Sequence, residues 1–388
     1  MTLSDSILQV VFDTPLRRSF DYLPSASEAP PEPGERVRVP LGRRRAIGIV
    51  AAQADASALP RAKLKPVFQS MDTAPLWDAA TFATLRWAAD YYHHPLGDVM
   101  FGALPKMLRE GAAASRDEIA WRLAAAGRAA IAGGARLGPR QQALVALIGD
   151  EGAAGRDIAD AGHGAALRAL AARGWLESSS RSAPPPPAGD GRPGPVLTAD
   201  QGAAVAAVGA ALGRFGAFLL HGVTGSGKTE VYLRLIERAL AAGRGALVLV
   251  PEIALTPQLV ARFRERLSAP VVALHSSLAD GARLDAWRAA RAGSAPVVIG
   301  TRSAVFTPMP ALGLVVVDEE HDASYKQQDG FRYSGRDLAV ARAQRAGVPV
   351  ILGSATPSLE SLANAATGRY AKLSLPQRTG RAGKPRVT

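Results

Sequence analysis

Residues 222–229 read Gly-Val-Thr-Gly-Ser-Gly-Lys-Thr, and residues 315–321 read Val-Val-Val-Asp-Glu-Glu-His. Glycines in the first run let the backbone turn sharply and aim successive N–H groups at one point, a geometry that cradles phosphate oxygens. Gly222, Val223, Thr224, Gly225, Ser226 and Gly227 would form that cradle, Lys228 would bring a charge to the outer phosphates, and the Thr229 hydroxyl would enter a magnesium shell. The second run is apolar and ends in acids. There Asp318 would hold magnesium and Glu319 would polarise an attacking water, with His321 a further candidate catalytic residue. Each run has an ordinary explanation on its own: a chance match among 39 glycines, or an exposed acidic turn. Together they point to nucleoside triphosphate chemistry, which asks a protein mainly for positioning and charge.

Such groups need a strand before the loop and a helix after it. Ala217–His221 is a short apolar run suited to the strand. Residues 230–242 carry Val231, Leu233, Leu235, Ile236 and Leu240 at helical spacing and close at Gly243. Leu314–Val317 reads as a buried parallel strand delivering Asp318 to its C-terminal end. From residue 196 onward strands and helices alternate, the pattern of a parallel α/β sheet.

A chain of 388 residues with 47% hydrophobic content can bury two to four cores. The formal charge of +12 favours a polyanionic partner. Cysteine is absent, which excludes a disulfide framework and cysteine-bound zinc within this chain. Met1–Phe12 lacks a signal-peptide pattern, and no uncharged apolar run reaches membrane-spanning length, so the expected setting is cytoplasmic, with no membrane partner. Residues 1–110 begin with short apolar runs (Ile7–Phe12, Phe20–Leu23, Arg36–Pro40, Ile47–Ala51) separated by Pro/Gly turns, followed by a helix over 78–92. Residues 111–180 are Ala-rich, with helices over 141–148, 155–161 and 163–173 and a strand over 174–177, the order of a winged helix or of another Ala-rich helical fold. Residues 181–195 are a Pro/Gly linker, 196–375 the α/β lobe, and 376–388 the start of a further link.

Further runs follow the loop in a fixed order. Leu197–Gln201 precedes it, and Gln201 would read an adenine. Val250–Gln258, His275-Ser276, Gly300–Phe306 and Gly353–Ser358 come after it. In this order they resemble the first lobe of a superfamily-2 helicase, which implies ATP and Mg²⁺ as cofactors and a DNA strand gripped by Thr301, Arg302, Ser303, Ser354 and Thr356. His321–Tyr333 resembles the aromatic-rich loop of the PriA family of bacterial replication-restart helicases. Tyr325, Phe331 and Tyr333 would offer stacking faces, and Lys326 and Arg332 phosphate contacts. Aromatics near a strand end also commonly belong to the core, and that packing reading stands beside the first.

Residues 18–22, 34–42, 64–66 and 87–98 resemble the 3′-end DNA-binding domain of the same family. The resemblance assigns Phe20, Asp21, Gly42 and Lys65 to a pocket for a terminal base and its 3′-hydroxyl. It implies α/β architecture: a RecA-like parallel-sheet lobe preceded by a small β-rich DNA-binding domain and a winged-helix domain. It also implies a 3′→5′ helicase acting on forked and single-stranded DNA, a monomer associated with the nucleoid, and single-strand-binding and primosome proteins as partners. In the family a second lobe, with zinc in a cysteine-rich insertion, follows the first. Little chain follows Thr356 here, and the expectation is a partial helicase that binds forks and ATP without unwinding on its own.

Overall fold

The structure is a computed structural model that describes residues 6–25, 29–115, 117–150, 152–154, 157–158, 161–182 and 185–379. Contacts divide the chain into two units. One joins the residues up to Ala114 with those from Pro185 onward, and the other is Ser115–Pro184.

The first unit opens with an antiparallel sheet of β1 (Ile7–Val11), β2 (Phe20–Tyr22), β3 (Arg36–Leu41), β4 (Arg44–Ala54) and β5 (Gln69–Ser70), in the order β2-β1-β4-β3-β5. Alternation along the strands gives the sheet two apolar faces. Leu8, Val10, Val37, Val39 and Val50 pack with Phe12, Tyr22 and Val67 on one face. Val11, Ile49 and Ala51 turn to the other and meet Leu76, Leu85 and Ala88. The helix Ala79–Tyr91 starts where Asp78 accepts the Thr81 N–H at 2.8 Å, an N-cap. Arg36 is fully buried. It holds Asp72 through a two-pronged pair at 2.9 and 2.6 Å and donates to the Leu108 and Ala112 carbonyls.

The second unit contains β6 (Asp117–Leu123), β7 (Ala153–Ala154) and β8 (Leu176–Ser182) in the order β7-β6-β8, with helices Ala125–Ala132, Pro139–Ile148 and Gly164–Ala172. Leu144, Ile148, Ile158, Ala166, Leu170 and Leu176 form its core. The sequence expectation places a strand over 174–177 and none over 117–123, where β6 lies. Ile119, Trp121 and Leu123 alternate as a strand requires, and the surrounding alanines hide the period. Of the helix expected over 155–161, Gly155, Arg156, Ala159 and Asp160 lie outside the described residues.

The first unit then resumes as a seven-stranded sheet. Its strands are β9 (Gly216–Gly222), β10 (Gly245–Leu249), β11 (Val271–Leu274), β12 (Val297–Gly300), β13 (Leu312–Val317), β14 (Pro349–Ser354) and β15 (Ala371–Leu375). Every pairing is parallel, in the order β11-β12-β10-β13-β14-β9-β15. Except for the largely exposed edge strand β15, the strands are nearly continuous apolar runs because both faces are covered. On one face Ala246, Val248, Leu314 and Val316 pack against the helix Lys228–Ala241. On the other, Leu247, Leu249, Val315 and Val317 belong to the same core as Val11 and Ile49 of the first sheet and Leu85 of the helix Ala79–Tyr91. The helix Ala79–Tyr91 packs on the helix Gly335–Ala346 across this shared core. The β-rich segment and the lobe are therefore one packed body. Among the described residues no helix is long and apolar enough to cross a membrane.

Candidate nucleotide and DNA sites

Strand β9 ends at Gly222 and the helix Lys228–Ala241 begins six residues on, with Gly227 as its N-cap. Gly225 and Gly227 have φ of +80° and +81°, left-handed values that disfavour side chains. A Cβ on Gly227 would also stand 2.4 Å from the Gln201 amide. The Lys228 side chain is 9% exposed, and its Nζ donates to the Gly222 carbonyl at 3.1 Å and pairs with Glu319 at 3.4 Å. Ser226 Oγ is buried with no protein partner, a polar atom inside the cradle that fits a phosphate oxygen.

Strand β13 delivers Asp318 beside this loop, where its N–H donates to the Leu249 carbonyl at 2.9 Å. Its Oδ1 accepts the Tyr232 hydroxyl at 2.9 Å, and its carbonyl accepts the Tyr325 hydroxyl at 2.6 Å. Burial pushes the Asp318 carboxyl up from the usual range, partly opposed by the Tyr232 hydrogen bond. Glu319 sits at φ +45°, an uncommon conformation for a residue with a side chain. Its second oxygen lies 3.7 Å from His321 Nδ1, which shares a 2.8 Å hydrogen bond with Ser354 Oγ. Glu320 is buried and accepts from the Ser358 N–H (2.7 Å), the Ser361 hydroxyl (2.9 Å) and Arg336 (3.2 Å). The acidic run is thus tied to the turn after β14. Asp318, Glu319 and Lys228 converge, with Thr229 in the same first helical turn as Lys228. This donor set fits a nucleotide phosphate with a magnesium ion.

Gln201 departs from the adenine-reading expectation. Its Oε1 accepts the Thr198 N–H at 2.9 Å and its Nε2 donates to the Ser226 carbonyl at 2.8 Å. Thr198-x-x-Gln201 is a capping box, and both polar atoms of the carboxamide are engaged there and in bracing the loop.

The aromatic loop also departs from expectation. Tyr325, Phe331 and Tyr333 are only 2%, 8% and 8% exposed, so they present no open stacking faces. Phe331 stacks on Tyr333 at 4.8 Å, and both meet Phe306. Their partners come from the whole body, because Tyr92 and His94 cover Phe331 from the β-rich segment. Lys326 and Arg332 remain exposed. Thr301 is buried. Arg302 donates to the Ser324 and Lys326 carbonyls at 3.0 and 3.2 Å, and Ser303 is exposed. The turn holding these residues is pinned by Arg342, which donates to the Val305 and Thr307 carbonyls. Burial lowers the Arg342 pKa to about 10, partly opposed by the charge of Asp78.

In the first sheet, Phe20 and Asp21 lie on edge strand β2, Gly42 is in the β3–β4 turn at φ +62°, and Lys65 is exposed. Two hydrogen bonds bring these segments together. The Leu23 N–H donates to the Lys65 carbonyl at 3.0 Å, and the Tyr22 hydroxyl to the Pro40 carbonyl at 3.0 Å. Phe20 lies beneath Arg18 at 5.0 Å and beside Phe12 at 5.5 Å. The Asp21 carboxylate accepts from Ser57 Oγ at 2.5 Å.

Sequence reasoning missed Tyr232, Glu320 and Thr379. Tyr232 stands four residues after Lys228, on the same helical face, and that spacing was a usable signal. Thr379 donates to the Gly225 carbonyl through both its N–H (2.9 Å) and its hydroxyl (3.0 Å), and nothing in its local sequence announces this. Of the link expected over 376–388, residues 380–388 lie outside the described residues. Among the described residues no group of three or more His, Cys, Asp or Glu is placed to hold a metal ion.

Residues 9–105 match the model of the PriA 3′ DNA-binding domain, and residues 198–365 match that of the DEAD/DEAH box helicases. The chain is similar to the replication restart protein PriA of Haemophilus influenzae, at 41% identity over 96% of this chain and 52% of that protein. Its counterpart in Treponema pallidum is 33% identical over 98% of this chain and 48% of its own length. The Bacillus subtilis protein is 50% identical over 44% of this chain and 21% of its own. The chain spans about half the length of the first two relatives.

Proposed function

This chain belongs to the PriA family of replication restart proteins, and from that premise we propose that it couples an ATP-driven motor lobe to recognition of a DNA 3′ end. Convergence of Lys228, Asp318 and Glu319 at the end of a parallel sheet carries the reading. Gly222–Gly227 cradle the phosphates, Lys228 faces the outer pair, and Thr229 with Asp318 holds the cation. Bound magnesium-ATP supplies the scissile phosphoryl group and the charge that neutralises it. Glu319 orients the water, and His321 links Glu319 to Ser354, so the state of the nucleotide reaches the turn that meets DNA. At the first sheet Phe20 stacks on the terminal base, Asp21 accepts from the 3′-hydroxyl, Gly42 allows close approach and Lys65 takes a phosphate. Residues 115–184 serve as a winged-helix module.

In this reading the whole protein is a 3′→5′ helicase that loads at stalled or abandoned forks and starts primosome reassembly. Its partners are forked and single-stranded DNA, single-strand-binding protein and primosome proteins, and its setting is the nucleoid. The deciding experiment is magnesium-ATP binding by calorimetry. Lys228→Ala should weaken it by about a hundredfold, since it removes the charge at the phosphates. Unchanged affinity refutes the site. DNA-stimulated turnover, measured separately, distinguishes a motor from a module that binds ATP and forks without turning over.

A further inference from the structure

The helix Ala79–Tyr91 ends beside a cleft of about 330 Å³ lined by Arg17, Arg86, Asp90, His93 and His94. We propose that this cleft binds a backbone phosphate of single-stranded DNA between the Phe20 pocket and the aromatic loop. The proposal rests on the DNA-binding reading above.

Charge is the first argument. Two guanidinium groups and two imidazoles face one carboxylate. Arg17 spends one nitrogen on the His93 carbonyl at 2.7 Å, and Arg86 makes a long 3.4 Å bond to the Ala51 carbonyl. Among the described residues neither is ion-paired with an acid, which leaves charged donors for a phosphate.

Backbone geometry is the second. His93 adopts φ +55°, an unusual conformation for a residue with a side chain, and the Arg17 bond to its carbonyl holds it. At Gly97, a Cβ would lie 1.9 Å from the Phe12 carbonyl oxygen. The segment after the helix is therefore pressed against the strand that leads through Arg17 to Phe20.

Location is the third. His94 Nε2 accepts the Arg332 N–H at 3.2 Å, and its ring lies edge-on to Phe331 at 5.2 Å. Accepting at Nε2 places the neutral ring's proton on Nδ1, a donor for an anion. The Tyr92 hydroxyl accepts the Ser334 N–H at 3.2 Å. A phosphate in the cleft would join the loop that leads to Phe20 to the segment 331–334.

The test is fluorescence-anisotropy titration of a labelled fork bearing a 3′-hydroxyl nascent end, repeated across a salt series. Arg17→Ala and Arg86→Ala should each weaken binding about three- to tenfold. Each should also flatten the dependence of log affinity on log salt by about 0.7 for the lost phosphate contact. Arg17→Lys should keep the slope, and Arg214→Ala, an exposed arginine of the lobe, should change neither quantity. A thermal melt confirms folding of each variant. Either folded alanine variant with the wild-type slope overturns the proposal. The same titration with a 3′-phosphate end reads the Phe20 pocket separately. Equal wild-type affinities for the two ends count against that pocket and leave the slope comparison intact.

Discussion

The proposed phosphate loop and the proposed 3′-end pocket would achieve recognition in opposite ways. The loop is eight consecutive residues whose backbone would do the binding, and its glycines are dictated by φ values and close approaches. The proposed end pocket is four side-chain or turn positions on three segments, gathered by an antiparallel sheet, one backbone bond and one hydroxyl-to-carbonyl bond. The first should fail when the chain path is disturbed. The second should fail when a functional group is changed on an undisturbed path.

The hardest way to break this contrast is at Gly353, on the strand beside Asp318. A Cβ there would lie 1.7 Å from the Tyr232 hydroxyl oxygen. Gly353→Ala should cost about 3 kcal/mol by overpacking, seen as a lower denaturation midpoint, and should weaken nucleotide binding with it. Adding Tyr232→Phe, which deletes the colliding oxygen, should recover part of the loss. No recovery would show that the damage lies elsewhere.

A smaller effect is expected at the end pocket. Asp21→Asn preserves shape but removes the carboxylate that repels a phosphate. The variant should lose about tenfold in its preference for a 3′-hydroxyl over a 3′-phosphate, with little change in stability, measured by competition at fixed salt. A matching fall in melting temperature would mean that Asp21 is a structural residue after all.

The smallest effect is a shift along the pH axis. The Asp318 carboxyl is raised by burial and lowered by the Tyr232 hydrogen bond. Magnesium-ATP needs the carboxylate, so binding should fade as pH falls, at a higher pH than an ordinary aspartate would give. Tyr232→Phe removes a bond that favours the charged form, so the acid midpoint should move higher still. Calorimetric titration over a pH series reads the displacement, and movement toward lower pH contradicts the assignment.

What was legible in the sequence follows the same contrast. Residues 222–229 and 315–321 announced their strand, loop and acids because the chemistry fixes the order along the chain. The parallel sheet was equally readable from long apolar runs. The fate of Phe331 and Tyr333 was not, because their covering partners Tyr92 and His94 come from a distant segment. Gln201 looked like a base reader, yet local capping engaged its amide. Strand β6 carried its alternation in three residues among alanines, too weak a signal to outweigh the helical context.

The core shared by the first sheet and the lobe bears on how the chain is made. The inner face of β1 and β4 rests with the helix Ala79–Tyr91 against Leu338, Ala339 and Ala343. Those residues leave the ribosome long after β1. At about 5–20 residues per second the delay is roughly 15–70 s. During it the early sheet exposes the apolar side that its late partners will cover. Until Leu338 is made, that apolar side has no cover from within the chain. Mutations near Leu338 should reduce yield during synthesis more than they reduce the stability of the finished protein.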